Sequence, residues 1–395
     1  MTEKISDNKS LIVSGFLLTF FSSFGQTFLI SLYAPGIMEK FSITNSLFGS
    51  IYGAATVLSA AALIYAGNLI DIWPLRRYTI LSVLILAGAC LTVGFAPGIA
   101  VLFLGIWGLR FAGQGLFTHI TSTAISKHFN SVRGKALGVT SLGYSAGEGI
   151  LPVVTGLIIS LFGWRQSIMI NAFFLLAVLL PLILFLMRGE ECGECGESGE
   201  TGKKVQEKFS RKLLFSDRRF YIIAANSFIQ PFAVTGLFFY QLVLASDKGW
   251  PVELITSGFI LYAAGRSVFS LVGGPLVDRY TAVKMLPWYL VPYAAALAVL
   301  YFFSSSFIAL LYLVLTGISI GLSSSVKTAV LAEVFGTKNI GGVRSVYSMI
   351  SVLSTAASPA LFGLIIDSGA GFSPVILLSL ILVLISIIIS FALKN

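Results

Sequence analysis

The sequence predicts an all-α membrane protein with twelve transmembrane helices, arranged as two pseudo-symmetric six-helix bundles. Its 395 residues are 56% hydrophobic and only 11% charged, whereas soluble domains carry about a quarter charged residues. A helix needs about 20 apolar residues to cross the hydrocarbon core, and the chain supplies about twelve such runs. Helices are favoured because lipid offers no water to satisfy backbone polar groups.

Charged loops and Gly/Pro breaks delimit the expected spans. They fall near 11–33, 45–67, 78–96, 100–125, 136–160, 167–187, 219–243, 253–275, 285–304, 307–334, 341–366 and 373–392. If the N-terminus is inside, Lys and Arg concentrate in the cytoplasmic loops, and the outer loops keep only Lys40, Arg165 and Lys248. This asymmetry predicts a multi-pass protein with both termini cytoplasmic. It also argues that the net charge of +9 reflects membrane topology rather than a nucleic-acid partner.

A polar stretch, Arg188–Asp217, divides the chain into an N-terminal bundle at 1–187, a cytoplasmic loop at 188–218 and a C-terminal bundle at 219–395. The first part of the stretch is acidic and glycine-rich, which predicts disorder. The second part, KKVQEKFSRKLLF, is expected to form a basic amphipathic helix on the inner membrane surface.

Two motifs recur at one offset of 207 residues, which indicates that the two halves are repeats. The pairs are Gly67-x-x-x-Asp71 with Gly274-x-x-x-Asp278, and Pro152-x-x-x-Gly156-Leu-Ile-Ile with Pro359-x-x-x-Gly363-Leu-Ile-Ile. Parallel six-helix repeats with a substrate site between them are a known transporter architecture.

The loop Gly67-Asn-Leu-Ile-Asp71-Ile-Trp-Pro-Leu-Arg76-Arg77 resembles the signature between the second and third helices of the major facilitator superfamily. Leu109-Arg110-Phe-Ala-Gly113-Gln114-Gly115 resembles its fourth-helix motif, and Gly274–Arg279 is the second copy of the loop. The resemblance implies alternating access. It also implies cytoplasmic latches made by Asp71, Arg76, Arg77, Asp278 and Arg279, although the arginines would serve equally well as topology determinants.

A finer resemblance points to the monocarboxylate and oxalate–formate branch. It rests on Lys127-His-Phe129, Arg133-Gly134-Lys135-Ala136-Leu-Gly138 and Gly163-Trp164-Arg165. In that branch an eighth-helix arginine takes the substrate carboxylate, and Arg266 stands at the matching position. Tyr262, one turn earlier, replaces the aspartate of the animal carriers, and we expect it to lie at the substrate site.

Charged groups inside predicted spans are functional candidates, because a charge at membrane depth is costly. Arg266 lies roughly 18 Å from the end of its helix at Asp278, which is near the bilayer centre. Its planar guanidinium suits a carboxylate, although an internal salt bridge is the alternative. Lys327, on a stripe with Ser323 and Ser324, is expected to make a second anion contact unless it extends to the interface.

His119 lies on a polar stripe with Thr118 and Ser122, so it is a candidate for substrate binding or proton transfer, or else a hydrogen-bonded structural histidine. Arg110 and Glu148 lie at depths that differ by about 6 Å, which predicts a buried pair between the fourth and fifth helices. Glu148 is also an acidic residue inside a predicted span, and it is therefore the leading candidate for the proton carrier.

These features predict a secondary transporter of a small organic anion, preferably a monocarboxylate, with proton symport or anion exchange. A proton-driven exporter of drugs or metabolites is the first alternative. A non-transporting sensor that uses the central loop is the second. No nucleophile–base arrangement or closed metal site is evident, since Cys192-Gly-Glu-Cys195 supplies only half of one. We therefore expect no enzyme activity, cofactor or metal, and a monomer in a bacterial inner membrane whose partners are an anionic small molecule, protons and lipid.

Overall fold

The computed structural model describes residues 8–129, 132–188, 211–336 and 340–393, and these residues are almost entirely helical. Among these residues, eleven helices are individually long and apolar enough to span a membrane, and one bent pair of helices passes the same test when the pair is taken as a single span. In chain order they are α1 (Lys9–Gly25 with Thr27–Phe41), α2 (Asn45–Asp71), α3 (Leu75–Gly94), α4 (Ile99–His128), α5 (Arg133–Phe162), α6 (Trp164–Leu186), α7 (Arg218–Phe239), α8 (Val252–Tyr280), α9 (Ala282–Phe302), α10 (Ser306–Phe335), α11 (Ile340–Asp367) and α12 (Ser373–Ser390). The protein is thus a multi-pass membrane protein, as the hydropathy predicts.

The observed spans match the expected segments to within several residues, except that the first is longer. Helix α1 continues to Phe41 after a 46° bend at Gln26, whose backbone is extended. The bend occurs where Gly25 lies against the backbone of α4, and a Cβ at Gly25 would overlap the carbonyl oxygen of Leu109. Helix α7 is followed in the same way by a short helix, Gln241–Lys248.

Helix α4 contains a π-helical stretch, Leu109–Leu116, in its middle. Such wide turns are rare and occur often at functional sites. Arg110 and Gln114 both lie in this stretch, and both face the space between the two halves. The phase of the helix therefore changes between Arg110 and the residues that follow.

The two halves meet along two helix crossings that the 207-residue repeat relates to each other. In one crossing, Gly363 of α11 packs on Ser46 of α2. In the other, Gly156 of α5 packs on Thr256 of α8. Gly156 and Gly363 are the repeat-related glycines of the two Pro-x-x-x-Gly motifs, which explains why small residues stand there.

One end of the molecule is closed by polar contacts between the halves. The carboxylate of Asp367 accepts hydrogen bonds from the backbone N–H groups of Asn45 and Ser46 and from the Asn45 side chain. The Tyr240 hydroxyl donates to the carbonyl of Asn45, and Gln241 donates to Phe28. The predicted topology makes this the outer end of the protein.

The central polar loop is only partly described. Residues 189–210, which hold the predicted disordered stretch and Cys192 and Cys195, lie outside the described residues. The end of the predicted amphipathic segment forms a short helix, Arg211–Ser216. Asp217 then begins α7, where its side chain accepts a hydrogen bond from the backbone of Arg219.

Candidate functional site

A cavity of about 270 Å³ lies between the two halves, below the closed end. It is lined by the bend of α1, the π-helical stretch of α4, and parts of α5, α7, α8, α10 and α11. Its polar and charged lining comprises Gln26, Thr27, Arg110, Gln114, Tyr144, Glu148, Gln230, Thr235, Tyr262, Arg266, Ser323, Lys327 and Thr355. Five sequence-predicted residues thus line one cavity, namely Arg110, Glu148, Tyr262, Arg266 and Lys327.

Glu148 of α5 and Arg266 of α8 form an ion pair that joins the two halves inside this cavity. Arg266 Nη1 donates to Glu148 Oε1. The Glu148 side chain is 3% exposed, whereas that of Arg266 is 28% exposed and faces the cavity. Because Glu148 is buried, the guanidinium supplies the countercharge that offsets its lost hydration.

The pair leaves hydrogen-bonding capacity unused. Glu148 Oε2 is buried, and it has no hydrogen-bond partner among the residues that the structure describes. The Arg266 guanidinium carbon lies 4.5 Å from the ring centroid of Tyr144, a cation–π distance. Tyr262, 3% exposed, lies against the same carboxylate. The exposed side of Arg266 is therefore the part of the pair that an incoming polar group can reach.

The predicted Arg110–Glu148 pair is wrong. Arg110 is 1% exposed; its Nε donates to Thr56 Oγ1 (3.1 Å) and its Nη1 to the Gly25 carbonyl (3.0 Å). The guanidinium also lies 4.8 Å from the Tyr52 ring centroid. Similar depth in the membrane does not determine which neighbouring helix a side chain faces.

Lys327 of α10 is half-buried and lines the cavity. Its ammonium lies 5.7 Å from the ring centroid of Tyr289, and it makes no hydrogen bond or ion pair with any described residue. The expected neighbour Ser323 lines the same cavity, whereas Ser324 hydrogen-bonds with Ser270 of α8. Lys327 is therefore a cation without a protein counterion in the described part of the chain.

His119 lies outside this cavity. Its Nε2 is 3.0 Å from the carbonyl oxygen of Gly67 in α2, the first residue of the loop motif. A Cβ at Gly67 would come within 3.3 Å of that nitrogen. This contact agrees with the alternative that His119 is a hydrogen-bonded structural histidine, because its ring nitrogen contacts a backbone carbonyl within the first half.

The residues of the predicted latches lie at the other end of the molecule from Asp367. Lys127 donates to Asp71 Oδ1 at 2.6 Å, and both side chains are about half exposed or more. Arg76 Nη2 donates to the Leu184 carbonyl at 3.4 Å. Arg279 lies over the ring of Tyr280, and Asp278 is exposed. Since the Asp71 contact stays within the first half, a latch between the halves remains a prediction. Arg77 is exposed at the start of α3.

Sequence reasoning missed the uncharged polar lining of the cavity. Gln26, Gln114 and Gln230 come from three different helices, and Tyr144 stacks on Arg266. Amides inside otherwise apolar spans were the available signal for these positions. Within the described residues, no group of three His, Cys, Asp or Glu side chains could hold a metal ion.

Comparison with known proteins agrees with this architecture. Residues 15–264 and 241–395 match the family model of the Major Facilitator Superfamily. The chain therefore belongs to the Major Facilitator Superfamily, as its loop motifs predict.

Similar proteins include the probable sulfoacetate transporter SauU of Cupriavidus necator, which is 27% identical over 41% of this chain and 38% of its own length. The lincomycin resistance protein of Streptomyces lincolnensis is 24% identical over 41% of this chain and 34% of its own length. The multidrug resistance protein Stp of Mycobacterium tuberculosis is 26% identical over 41% and 30%. The chain thus matches only about a third of the length of these relatives.

Solved structures with the same fold cover nearly the whole chain. A bacterial homologue of the human lysosomal transporter Spinster, in an inward-facing and unoccupied conformation, has a TM-score of 0.79 at 16% identity, over 99% of this chain and 97% of its own. A point mutant of the nucleoside transporter NupG has a TM-score of 0.77 at 12% identity, over 98% and 100%. At these identities, the likeness concerns the fold.

Proposed function

We propose that the protein is a secondary transporter that moves a small organic anion, preferably a monocarboxylate, across a bacterial inner membrane by alternating access. It works as a monomer with both termini in the cytoplasm. The observation that carries the proposal is the Glu148–Arg266 ion pair, which joins the two halves inside the cavity between them. Intramembrane charges mark ion and substrate pathways by default.

The charge balance of the cavity favours an anion. Three formal cations, Arg110, Arg266 and Lys327, line it with one acid, Glu148. Arg110 is held by Thr56 and the Gly25 carbonyl, neither of which neutralises it. A small anion would therefore find a positive, partly wet site with a planar guanidinium suited to a carboxylate.

Substrate binding would act directly on the pair. A substrate carboxylate that reaches the exposed side of Arg266 competes with Glu148 for the same guanidinium. In proton symport, a proton on Glu148 removes that competitor and keeps the displaced carboxyl group neutral. In anion exchange, the substrate carboxylate and the Glu148 carboxylate take turns on the Arg266 guanidinium, and no proton is needed. Closure of the Asn45–Asp367 end supports assignment of this conformation to the cytoplasm-open state.

The test is uptake by purified protein in proteoliposomes of radiolabelled acetate, lactate, oxalate and sulfoacetate. Thermal stabilisation by the same compounds reports binding separately. Arg266→Gln and Arg266→Lys are expected to abolish uptake while the protein remains folded. Arg218→Gln, at the exposed start of α7, is the matched control and is expected to leave uptake unchanged. Wild-type uptake by a well-folded Arg266→Gln variant would refute the role of this residue.

The driving force for uptake distinguishes proton symport from anion exchange. An inward proton gradient accelerates uptake in a symporter and has no effect on an exchanger, whereas preloading with unlabelled anion accelerates an exchanger. Glu148→Gln is expected to abolish proton-driven uptake and to preserve anion exchange.

A proton-driven exporter of drugs or metabolites is the second candidate function. The aromatic lining at Phe28, Tyr144, Phe238 and Tyr262 favours it, as do the two drug-resistance relatives. If cationic or neutral drugs raise the thermal stability of the protein, and do so equally in Arg266→Gln, the exporter function becomes the better supported of the two. A sensor function would depend on the central loop, whose residues 189–210 lie outside the described part of the chain.

A further inference from the structure

A second cavity, of about 380 Å³, lies between α7, α10 and α11, at the opposite end of α11 from Asp367. We call it the Arg344 cavity. Its polar lining includes Lys327, Thr328, Arg344, Tyr347 and Ser348. Lys327 also lines the central cavity, so the two cavities adjoin at this one side chain.

The cations of the Arg344 cavity have no counterions among the described residues. Arg344 is exposed in the cavity, and neither it nor Lys327 makes an ion pair with a described residue. Two nearby acids are engaged elsewhere. Glu333 of α10 accepts hydrogen bonds from the backbone N–H groups of Ala282 and Val283, at 2.8 and 3.1 Å.

The second acid, Asp217, lies near Tyr347 and is bound by Arg219. Both carboxylate oxygens of Asp217 accept hydrogen bonds from the Arg219 guanidinium, at 2.8–3.1 Å. These contacts hold the pKa of Asp217 below its usual value, so it stays ionised and paired. Neither acid therefore binds the cations of the Arg344 cavity.

The cavity also offers an unused hydroxyl group. Tyr347 donates to the Phe220 carbonyl, and Thr328 donates to the Ser324 carbonyl. Ser348 makes no hydrogen bond with a described residue. It follows Arg344 by one helical turn and thus lies on the same face of α11. Two cations and a free hydroxyl donor make a site for one compact anionic group.

We propose that the Arg344 cavity is a second anion-binding site, which holds a soluble organic anion through its carboxylate, sulfonate or phosphate group before that anion reaches Arg266. Arg344 and Ser348 bind the anionic group first. Lys327 contacts the anion both in the Arg344 cavity and in the central cavity at Arg266. The order of the two positions rests on the proposed transport function, whereas anion binding at Arg344 does not.

The test measures the local charge without a transport assay. In a variant whose three cysteines are replaced (Cys90→Ala, Cys192→Ser and Cys195→Ser), Ser348→Cys is labelled in detergent with two methanethiosulfonates. One reagent carries a sulfonate and the other a quaternary ammonium group. The sulfonate reagent is expected to react faster, and Arg344→Gln should lower the ratio of the two rates about tenfold, since one nearby charge acts on both reagents in opposite directions.

Ser345→Cys, exposed on the same helix outside the cavity, is the matched control. Its rate ratio should stay near one. Millimolar acetate or inorganic phosphate, at an ionic strength held constant with chloride, should slow labelling of Ser348→Cys several-fold and leave Ser345→Cys unchanged. Equal rate ratios at the two positions, or no protection by either anion, would overturn the proposal.

Two further experiments distinguish a soluble anion from a lipid headgroup, and the Arg344 cavity from the central ion pair. Protection by phosphatidylglycerol but not by acetate or phosphate would identify a lipid headgroup site and overturn the soluble-anion proposal. Arg266→Gln should leave protection of Ser348→Cys intact, because the two positions bind separately. Loss of protection in Arg266→Gln would mean that the anion binds only at the central pair. Retained protection in a protein that transports nothing would support this site and contradict the transport function alone.

Discussion

Asp367, the last residue of α11, accepts a 2.8 Å hydrogen bond from the backbone N–H of Ser46, in the first turn of α2. The second carboxylate oxygen accepts from the backbone and side chain of Asn45. One half of the protein thus supplies an acidic cap for the first turn of a helix in the other half. A carboxylate is favourable there because the first N–H groups of a helix lack intrahelical acceptors and carry partial positive charge.

Asp367→Asn should weaken closure of this end, because it removes the charge but keeps the size of the side chain. A charge at a helix N-terminus contributes about 0.3–2 kcal/mol, so the open population should rise about two- to thirtyfold. Spin labels at Lys40→Cys and Ser305→Cys, both exposed at this end, would report the change as a longer-distance population. Asp247→Asn is the control. An unchanged distance distribution in Asp367→Asn would contradict the role of this cap.

Gly49→Ala should hold the same end open by steric contact. A Cβ on Gly49 of α2 would overlap the carbonyl oxygen of Pro359 in α11, so the crossing cannot close as it does here. The same pair of spin labels should show a dominant long distance, and uptake should fall by at least an order of magnitude. Gly88→Ala is the matched control, because a Cβ on that α3 glycine has no neighbour within 4 Å.

The central ion pair makes a prediction about stability that differs from its prediction about transport. Arg266→Gln leaves Glu148 buried without its cation, which should destabilise the protein by on the order of 3 kcal/mol. The double variant with Glu148→Gln removes both charges and should recover most of the lost thermal stability. It should not recover anion uptake, since the proposed contact between Arg266 and the anion is gone. Thermal unfolding followed by tryptophan fluorescence gives the first result and proteoliposome uptake the second.

An additive loss of stability in the double variant would show that the two side chains do not act as a pair. Recovery of both stability and uptake would show that the arginine is structural.

The two remaining cations of the cavity should respond in opposite ways. Arg110 is fully buried and bound by Thr56 and the Gly25 carbonyl, so Arg110→Gln should lower the melting temperature by several degrees. Lys327 has no ion-pair partner among the described residues, so Lys327→Gln removes a half-buried, unpaired charge and should leave the melting temperature equal or higher. Lys327→Gln should instead raise the KM for the anion. A large fall in melting temperature for Lys327→Gln would refute this division of roles.

The fold could be predicted from the sequence because each span must satisfy its own backbone and present about 20 apolar residues to lipid. Arg266 and Glu148 stood out for the same physical reason, since a charge inside an apolar run is conspicuous. Their pairing could not be predicted, because a residue's depth gives its height in the membrane and not the helix that it faces. The wide turn in α4 and the bend in α1 at Gln26 decide what Arg110 touches, and neither feature leaves a periodic signal in the sequence.

The uncharged residues that line the central cavity were harder still to predict from the sequence. Tyr144 and Gln230 resemble ordinary residues of a buried helix face until the cavity is seen. Arg344 lies near the start of α11, where an arginine would serve equally well as a determinant of membrane topology. Its relation to Lys327 depends on the packing of α10 against α11, which is a tertiary property.

The surplus of cations in the central cavity has a consequence for the response of the protein to membrane voltage. With Arg110, Arg266, Lys327 and Glu148 all ionised, the empty cavity has a formal charge of +2. A bound monoanion reduces this charge to +1, and a dianion cancels it. Each elementary charge that crosses the full field is worth about 2.3 kcal/mol per 100 mV, so in the proposed transport cycle the electrical work would fall mainly on the return of the empty carrier. A negative cell interior would thus hold the unloaded cavity on the cytoplasmic side, and the substrate's own charge would release it.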